Sequence, residues 1–558
     1  MTSTLSPSPR PRAVGGLQGW LAHRRIGQRR LNRTLLLAAS GVAALVTTPL
    51  AYILYRAAAG GAETWARLWQ TRLVGLLGNT LALMAAVTFG TLLLGTALAF
   101  LVERTDLPLR RAWRWLLALP LAMPAFIGAV VHVALLRPRG GILPRFFADA
   151  FGVAIPLPSP FGLWGATFML TLFMYPYVYL LSAAAFRSLH ASLEEAARSF
   201  GYSAWRTLWK VTLPVLRPGL TAGALLVALD ILAEYGTVAL LRYETFSAAI
   251  FLQLSGRYDR AAASVLSGVL VVLAIAVLAG EIRLQGQARF EQVSSSWRPA
   301  PRLSLGRWRW LAFAFVCFVA LNTLFVPLTV LGAWTVQGRL DASFAASVYR
   351  SSAQNLWGYA WNSVWSAGLA ALAAVILSLP VAYLAVRYPR LTSRALSRLC
   401  QVGYALPGVV VALSLILLVN RGLPWLYGTP LVVVLAYVVR HMPQAVRASE
   451  SALMQISPSL EEAARSLGRR PVMVVLTVTL PLIFPGLLSG AALVFLTSLK
   501  ELPATLLLRP AGFDTLAVRV WMAAGDGVYA QAAPAALLLI ACAAVPLVFL
   551  LRRSVLQS

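Results

Sequence analysis

Twelve stretches of this chain are apolar for long enough to cross a lipid bilayer, and that leaves few folds open. A bilayer core offers no water to backbone N–H and C=O groups. A crossing segment must therefore satisfy them as a helix or within a closed barrel. Most of these stretches run about twenty residues or more, which suits helices; barrel strands need only about ten. They lie near 35–55, 74–102, 113–136, 161–185, 218–241 and 261–280, then near 311–334, 359–386, 399–419, 429–439 (extending to about 447), 484–508 and 532–551. The tenth is the weakest, because Arg440 and His441 fall within it. A polar tract, 281–310, separates the two sets of six and carries six arginines with Pro299 and Pro301. The first 34 residues hold Pro, Ser and seven arginines and read as a disordered basic arm. Segment 35–55 is too long for a signal-peptide core and lacks a small-residue cleavage site, so it reads as the first span. The expected fold is all-α and polytopic: an arm (1–34), a first half (35–280), a cytoplasmic linker (281–310) and a second half (311–558).

Charge orients this arrangement. The net charge of +29 could signal nucleic acid, but the arginines sit in short tracts between apolar segments. With the N-terminus inside, 33 Lys/Arg fall in cytoplasmic tracts and 14 in external ones, with Lys500 inside a span. That bias is the positive-inside pattern and places both termini in the cytoplasm. No nucleic-acid partner is expected; the lipid bilayer is. Only 12% of residues are charged and 59% are hydrophobic, too little polar surface for a soluble chain of 558 residues. The three cysteines form no CxxC pair, and the four histidines have no zinc-ligand spacing.

An internal repeat carries the most information. Residues 192–199 and 459–466 both read SLEEAARS, at an offset of 267. The offset persists at Gly201/Gly468, at 211–214 against 478–481 (VTLP), at 218–220 against 485–487 (PGL), and at Pro176/Pro443, Glu234/Glu501 and Arg242/Arg509. Locally, Ser192 with Glu195 and Ser459 with Glu462 have the spacing of a capping box. Ala196 and Ala197 favour helix, and Gly201 can end it in a left-handed conformation. A second short helix to about Val211 is expected, with Pro214 and Pro218 turning the chain back toward the membrane. Each half holds an even number of spans, so both copies face the cytoplasm. The halves are then parallel repeats, and two equivalent platforms fit a partner that is itself a two-fold dimer.

The pattern E-A-A, three residues, G, nine residues, an aliphatic residue, one residue, L-P occurs as Glu195-Ala196-Ala197, Gly201, Val211, Leu213-Pro214. It recurs as Glu462-Ala463-Ala464, Gly468, Val478, Leu480-Pro481. It resembles the cytoplasmic loop of bacterial ABC importer permeases, and the resemblance extends over nearly everything after residue 35. It implies the type I importer permease fold in the inner membrane. It also implies that these two loops, including Pro214 and Pro481, form coupling helices docked on two copies of a cytoplasmic ABC ATPase. A periplasmic substrate-binding protein would deliver cargo. ATP and Mg belong to the ATPase: Lys210 and Lys500, the only lysines, have no Walker A context, so no catalytic residue or bound cofactor is expected here. The plainer reading of Glu195 and Glu462 is helix capping alone; a rigid cap and a docking surface are compatible.

Segments 232–251 and 500–521 resemble the ferric-iron branch of fused permeases, which is also similar to thiamine and phosphonate importers. Ferric iron is the implied cargo, with thiamine, phosphonate or another small solute as alternatives. Independently, ionisable groups within a membrane are costly and tend to face an interior or a cavity. Asp230, Glu234 and Glu501 are such groups. On a helix starting at Pro218, Glu234 is 16 residues along, roughly 24 Å, in the outer third of the bilayer. Glu501 has the same depth in the other half. Carboxylates facing one axis would attract a hard cation, though a path must also release it. The competing reading is a structural ion pair with a neighbouring helix, and no metal ligand set is assigned. His132 reads as a satisfied interior histidine, Tyr175 and Tyr177 as interfacial-belt residues, and Asn79 and Asn362 as interhelical hydrogen-bonders.

Two other function classes are considered. An ion-coupled secondary transporter would need coupling residues at mid-membrane and no repeated docking loops. A membrane enzyme would need a clustered acid/base or metal constellation, yet the only carboxylate clusters, 194–195 and 461–462, lie inside the repeated motif.

Overall fold

The computed structural model describes residues 33–138, 140–153, 157–189, 191–285, 302–340 and 355–556. The expected N-terminal arm and most of the expected linker lie outside these residues. Helices account for the architecture, and the described residues contain no β-strand beyond one isolated bridge between Thr105 and Leu303. In chain order the first half contains α1 (Arg33–Ala58), α2 (Ala62–Arg104), the bent pair α3 (Arg110–Ala122) and α4 (Ala125–Leu136), α5 (Gly162–Arg187), α6 (Trp205–Ala233) and α7 (Arg260–Gln285). The second half contains α8 (Trp308–Leu340), α9 (Leu356–Arg387), the bent pair α10 (Leu391–Tyr404) and α11 (Gly408–Gly422), α12 (Pro430–Met454), α13 (Pro471–Leu499) and α14 (Tyr529–Leu556).

Among the described residues nine single helices are long and apolar enough to cross a membrane, and the two bent pairs are two more candidates. Helix α12 is too polar for that test, since it carries Arg440, His441, Arg447 and Glu450. It nevertheless packs along α9 and α13, with buried residues from Val432 to Leu453. Counting each bent pair as one crossing and adding α12 gives twelve, six per half, as the sequence pattern predicts.

Three features depart from simple spans. The stretches 113–136 and 399–419 are not straight: each turns sharply, by 92° and 107°. The cause is local. Pro124 and Pro407 push the preceding residues out of the helical region, to φ −94°, ψ 120° at Met123 and φ −98°, ψ 103° at Leu406. Second, the helix expected to end near Val211 does not end there. It widens into a π-helical turn over Leu208–Thr212, just before Pro214, and continues through Pro218 to Ala233. The second half repeats this at Val475–Thr479, before Pro481. A proline lacks the N–H that an α-turn needs at that point, and the wider turn absorbs the defect without breaking the helix. Third, the first spans cross over. Helix α1 packs against α9, α10 and α11 of the second half, and α8 packs against α4 and the turn 119–122 of the first. The apolar core is therefore shared by both halves.

Elsewhere the two halves use the same contacts. Asn79 Nδ2 donates to the Glu244 carbonyl (3.1 Å) and Asn362 Nδ2 to the Asp514 carbonyl (3.0 Å). The next residues accept in turn: Thr80 from the Phe246 N–H (3.2 Å) and Ser363 from the Leu516 N–H (2.8 Å). The two asparagines are expected to bond between helices; instead they hold the loops that lead into the helices Phe246–Ser255 and Leu516–Gly525. Exposed tryptophans mark both ends of the bundle: Trp205, Trp209, Trp308 and Trp310 at the end bearing the repeated loops, Trp69, Trp164, Trp357 and Trp361 at the other.

Helices α2 and α5 approach backbone to backbone at Gly95. A Cβ there would lie 2.9 Å from the Tyr179 amide nitrogen and 3.0 Å from the Tyr175 carbonyl oxygen. Gly95→Ala should cost about 1–3 kcal/mol through overpacking, read as a lowered thermal midpoint of the purified protein. Gly78→Ala, where a Cβ meets nothing within 4 Å, should leave the midpoint in place.

Candidate functional site

The repeated loops form two short helices, Ala191–Ser199 and Pro458–Ser466, on the same end of the bundle. Their C-termini follow the sequence. Gly201 and Gly468 adopt φ 82° and 83°. The next residues bond back across the turn, Tyr202 N–H to the Ala197 carbonyl (3.1 Å) and Arg469 N–H to the Ala464 carbonyl (3.3 Å). Such a turn needs a left-handed residue, which favours glycine. The N-termini do not follow the sequence. The second helix is capped by Ser457, whose hydroxyl accepts from the Ser459 amide, and Pro458 takes its first position. Ser459 and Ser192 are each the second residue of their helix, so the expected capping boxes do not form. Glu195, Ala196, Glu462 and Ala463 lie on the exposed face, while Ala197 and Ala464 are buried.

The residues that hold these helices are the neighbouring acids, Glu194 and Glu461. Glu194 pairs with Arg104 at the end of α2 (2.6 Å) and accepts from the Thr212 hydroxyl (2.9 Å). Glu461, with no exposed side-chain surface, accepts from Arg387 Nε at the end of α9 (2.8 Å) and from the Tyr383 hydroxyl (2.9 Å). Each loop helix is thus clamped to the second span of its own half. Sequence reasoning passed over these acids, although residues 191, 194 and 197 share one helical face and pair the first acid of each doublet with the buried alanines. Beside the first loop only, the described end of the linker docks: Leu303 N–H donates to the Arg104 carbonyl (2.8 Å) and Leu305 N–H to Asp106 (2.9 Å).

The predicted intramembrane acids meet elsewhere, in a cavity of about 390 Å³ between the halves. It is built where two spans break. Helix α6 stops at Ala233; Glu234 is extended (ψ 124°), and a short helix, Gly236–Leu240, follows. Helix α13 stops at Leu499, and Pro503–Leu508 follows. Glu234 therefore closes the unbroken helix that runs through Pro218, at the expected distance along it, but the span breaks there and does not continue as one helix to residue 241. Its Oε1 accepts from the Thr237 N–H (2.8 Å), capping the short helix; Glu501 does the same for Ala504 more weakly (3.4 Å). Extended backbone at this depth is tolerated only where such partners exist or a cavity is lined.

Asp230, Glu234 and Glu501 all line this cavity, with Arg440, His441 and Lys500. Glu501 is held in an ion pair by Arg440. Gly408 makes room for the pair, since a Cβ there would lie 2.2 Å from the Glu501 carboxylate. Among the described residues, no basic nitrogen lies within 4.0 Å of the Asp230 or Glu234 carboxylates. The Tyr177 hydroxyl faces Asp230, so Tyr177 lines the cavity instead of an interfacial belt. Tyr175 is fully buried and donates to the Leu117 carbonyl (3.0 Å). His132 is interior as expected, bonded through Nδ1 to the Gly128 carbonyl (2.8 Å), but it is satisfied at one nitrogen only, since its buried Nε2 has no hydrogen-bond partner among the described residues. Lys500 donates to the Leu121 carbonyl of the other half (2.8 Å). No three His, Cys, Asp or Glu side chains among the described residues converge as metal ligands.

Two regions of the chain, 91–282 and 374–556, match the family described as binding-protein-dependent transport system inner membrane component. Neither match includes α1 or α8, the two spans that cross over. The Fe(3+)-transport system permease protein FbpB 2 of Haemophilus influenzae is 34% identical over 510 residues, covering 90% of this chain and 95% of that protein. The ferric transport system permease protein FbpB of Actinobacillus pleuropneumoniae is 26% identical, covering 83% of this chain and 69% of that one. A putative 2-aminoethylphosphonate transport system permease protein, PhnV, of Salmonella typhimurium is 29% identical over 253 residues, 44% of this chain and 92% of its own.

The clamp separates the two acids of each loop experimentally. Arg387→Met leaves the buried Glu461 with the Tyr383 hydroxyl and a longer ion pair to Arg465 (3.7 Å), and should cost about 3 kcal/mol. Glu195→Gln, on the exposed face of the first loop, should leave the thermal midpoint within a degree or so of the parent, as most surface changes stay within about 0.5 kcal/mol.

Proposed function

The chain belongs to the family of inner-membrane components of binding-protein-dependent transport systems, and on that premise we propose that it is the pore of an ATP-binding-cassette importer for ferric iron. The observation that carries the cargo is the 34% identity to a named Fe(3+) permease along almost the full length of both chains. The phosphonate-system relative matches only a half-length segment. Asp230 and Glu234, which line the cavity between the halves, would attract a cation in transit without forming a closed ligand set.

In this reading Glu195, Ala196, Ala197, Gly201 and Pro214, with Glu462, Ala463, Ala464, Gly468 and Pro481, shape two coupling loops. Each docks on one copy of a cytoplasmic ATPase that uses ATP and Mg. The N- and C-termini then lie in the cytoplasm, and a periplasmic binding protein loads the opposite end. Docking has a physical handle: Phe200 and Leu467, which precede the two glycines, are 84% and 83% exposed. Large apolar side chains held out at a rigid helix end suit insertion into a groove. Closure of the ATPase pair would push on the loops. The Glu194–Arg104 and Glu461–Arg387 clamps would carry that push into α2 and α9, rocking the halves around the cavity. ATP and the loaded binding protein must bind the two states with different affinity for this cycle to run.

The test is uptake into proteoliposomes holding the chain with its ATPase and binding protein. ATP-dependent accumulation of labelled ferric iron is expected, with thiamine and 2-aminoethylphosphonate left outside. Phe200→Ser with Leu467→Ser, and separately Glu195→Ala with Glu462→Ala, should each lower the rate at least about tenfold, equivalent to about 1.4 kcal/mol of docking. Uptake of either rival solute in place of iron would remove the cargo assignment. Uptake without ATP would favour the ion-coupled transporter, whose candidate coupling residue is Asp230.

A further inference from the structure

Four aromatic rings meet at the end of the cavity away from the repeated loops, and they come from both halves. Phe126 and Tyr235 of the first half line the cavity and are buried. Phe251 of the first half and Trp521 of the second back them. The Tyr235 ring centroid lies 4.2 Å from that of Phe251 and 5.3 Å from that of Trp521. Phe126 meets Trp521 edge to face at 6.3 Å. Backbone is crowded at the same level: a Cβ on Gly236 would lie 3.0 Å from Phe126 and from Leu502 of the second half. The rings owe this position to the interruptions of the spans. Tyr235 follows the break at Glu234, and Phe126 follows the bend at Pro124. Phe251 and Trp521 stand on the helices Phe246–Ser255 and Leu516–Gly525. The loops leading into those helices bond to the ends of α2 and α9 that carry Trp69, Trp357 and Trp361. Counted from Thr245 and Thr515, which precede the two helices, Phe251 and Trp521 hold the same position. Tyr235 and Phe126 have no aromatic twin: Leu502 stands at the offset of 267, and Val409 follows Pro407 as Phe126 follows Pro124. Of the four rings, Trp521 alone belongs to the second half.

We propose that this cluster closes the path on its external side and that Trp521 is the latch. An apolar constriction blocks a hydrated ion without carrying charge of its own, because nothing there replaces the water shell. The contacts Trp521 makes with Tyr235 and Phe126 are between rings. A small separation of the halves therefore parts them without breaking an ion pair or a hydrogen bond. Phe126, Tyr235 and Phe251 stay with their own half when this happens, so opening follows from one ring leaving three. A latch of this kind yields to the rocking of the halves and resists a lone ion. The proposal rests on reading the cavity as the transport path; it does not depend on the cargo being iron.

The reporter is Thr497→Cys, which lines the cavity on α13 before the break. Spheroplasts holding the full transporter are washed free of binding protein, and a membrane-impermeant cationic thiosulfonate is added outside. The chain without Thr497→Cys sets the background from Cys317, Cys400 and Cys542. Thr497→Cys alone should label near that background. Adding Trp521→Ala removes two ring contacts and should raise the labelling rate at least about tenfold. Trp521→Phe keeps a ring and should leave the rate close to that of Thr497→Cys alone. A second reporter, Ser378→Cys, is buried against Ser449 between α9 and α12 and should stay at background in Trp521→Ala. No rise in Trp521→Ala, an equal rise in Trp521→Phe, or labelling of Ser378→Cys together with Thr497→Cys, which would show a loosened fold, would each overturn the latch. Returning the iron-loaded binding protein to Thr497→Cys should also raise its labelling. Labelling that rises in Trp521→Ala but ignores the binding protein would keep the latch and remove the importer reading.

Discussion

Every backbone polar group at membrane depth must find a partner within the protein, and the functional parts of this molecule follow from how that demand is met where helices stop. Four interruptions matter: at Met123–Pro124, at Glu234, at Leu406–Pro407 and after Lys500. Each frees N–H or C=O groups in a place without water. Glu234 and Glu501 accept from the helices that restart after them, and Lys500 satisfies the Leu121 carbonyl. Asn79, Thr80, Asn362 and Ser363 tie down the far ends of the same segments. Glu234, Glu501 and Lys500 are therefore backbone partners at the breaks as well as groups facing the cavity. Capping anchors them, and the break in the helix opens the space they face.

The loop helices solve a different problem with the same economy of parts. They are short, and a helix of nine residues is not stable alone in water. Glu194 and Glu461 fix them by burying a carboxylate against an arginine at the end of the second span. Removing one partner of such a pair would leave an uncompensated buried charge, so the loop helix cannot easily leave its span. A force applied to the loop then reaches the membrane helix directly, without a flexible joint. The exposed face, with Phe200 and Leu467, remains available to a partner.

The crossing of α1 and α8 makes the halves interdependent. Each half's first span packs against the other half, and the family match begins only after those spans. The repeat is thus not two separable domains side by side but two bundles, each held by an arm of the other. Within that frame many contacts repeat, and the central cavity departs from the repeat: the first half lines it with Asp230 and Glu234, the second with Arg440, Lys500 and Glu501.

The sequence alone determined the helical class, the number of crossings, the six-plus-six division and the left-handed turns at Gly201 and Gly468. Each of these depends on local pattern: apolar length, a fixed repeat offset, or a residue that needs positive φ. It also pointed to Asp230, Glu234 and Glu501, because ionisable residues in apolar segments stand out at any register. Only the tertiary structure decided that Glu194 and Glu461, not Glu195 and Glu462, anchor the loops, since their partners Arg104 and Arg387 lie 90 and 74 residues away. The same holds for the Arg440–Glu501 pair, the reach of Lys500 to Leu121 and the crossing first spans. Local periodicity carries no record of which distant helix will pack alongside, and a buried charge is defined by that neighbour.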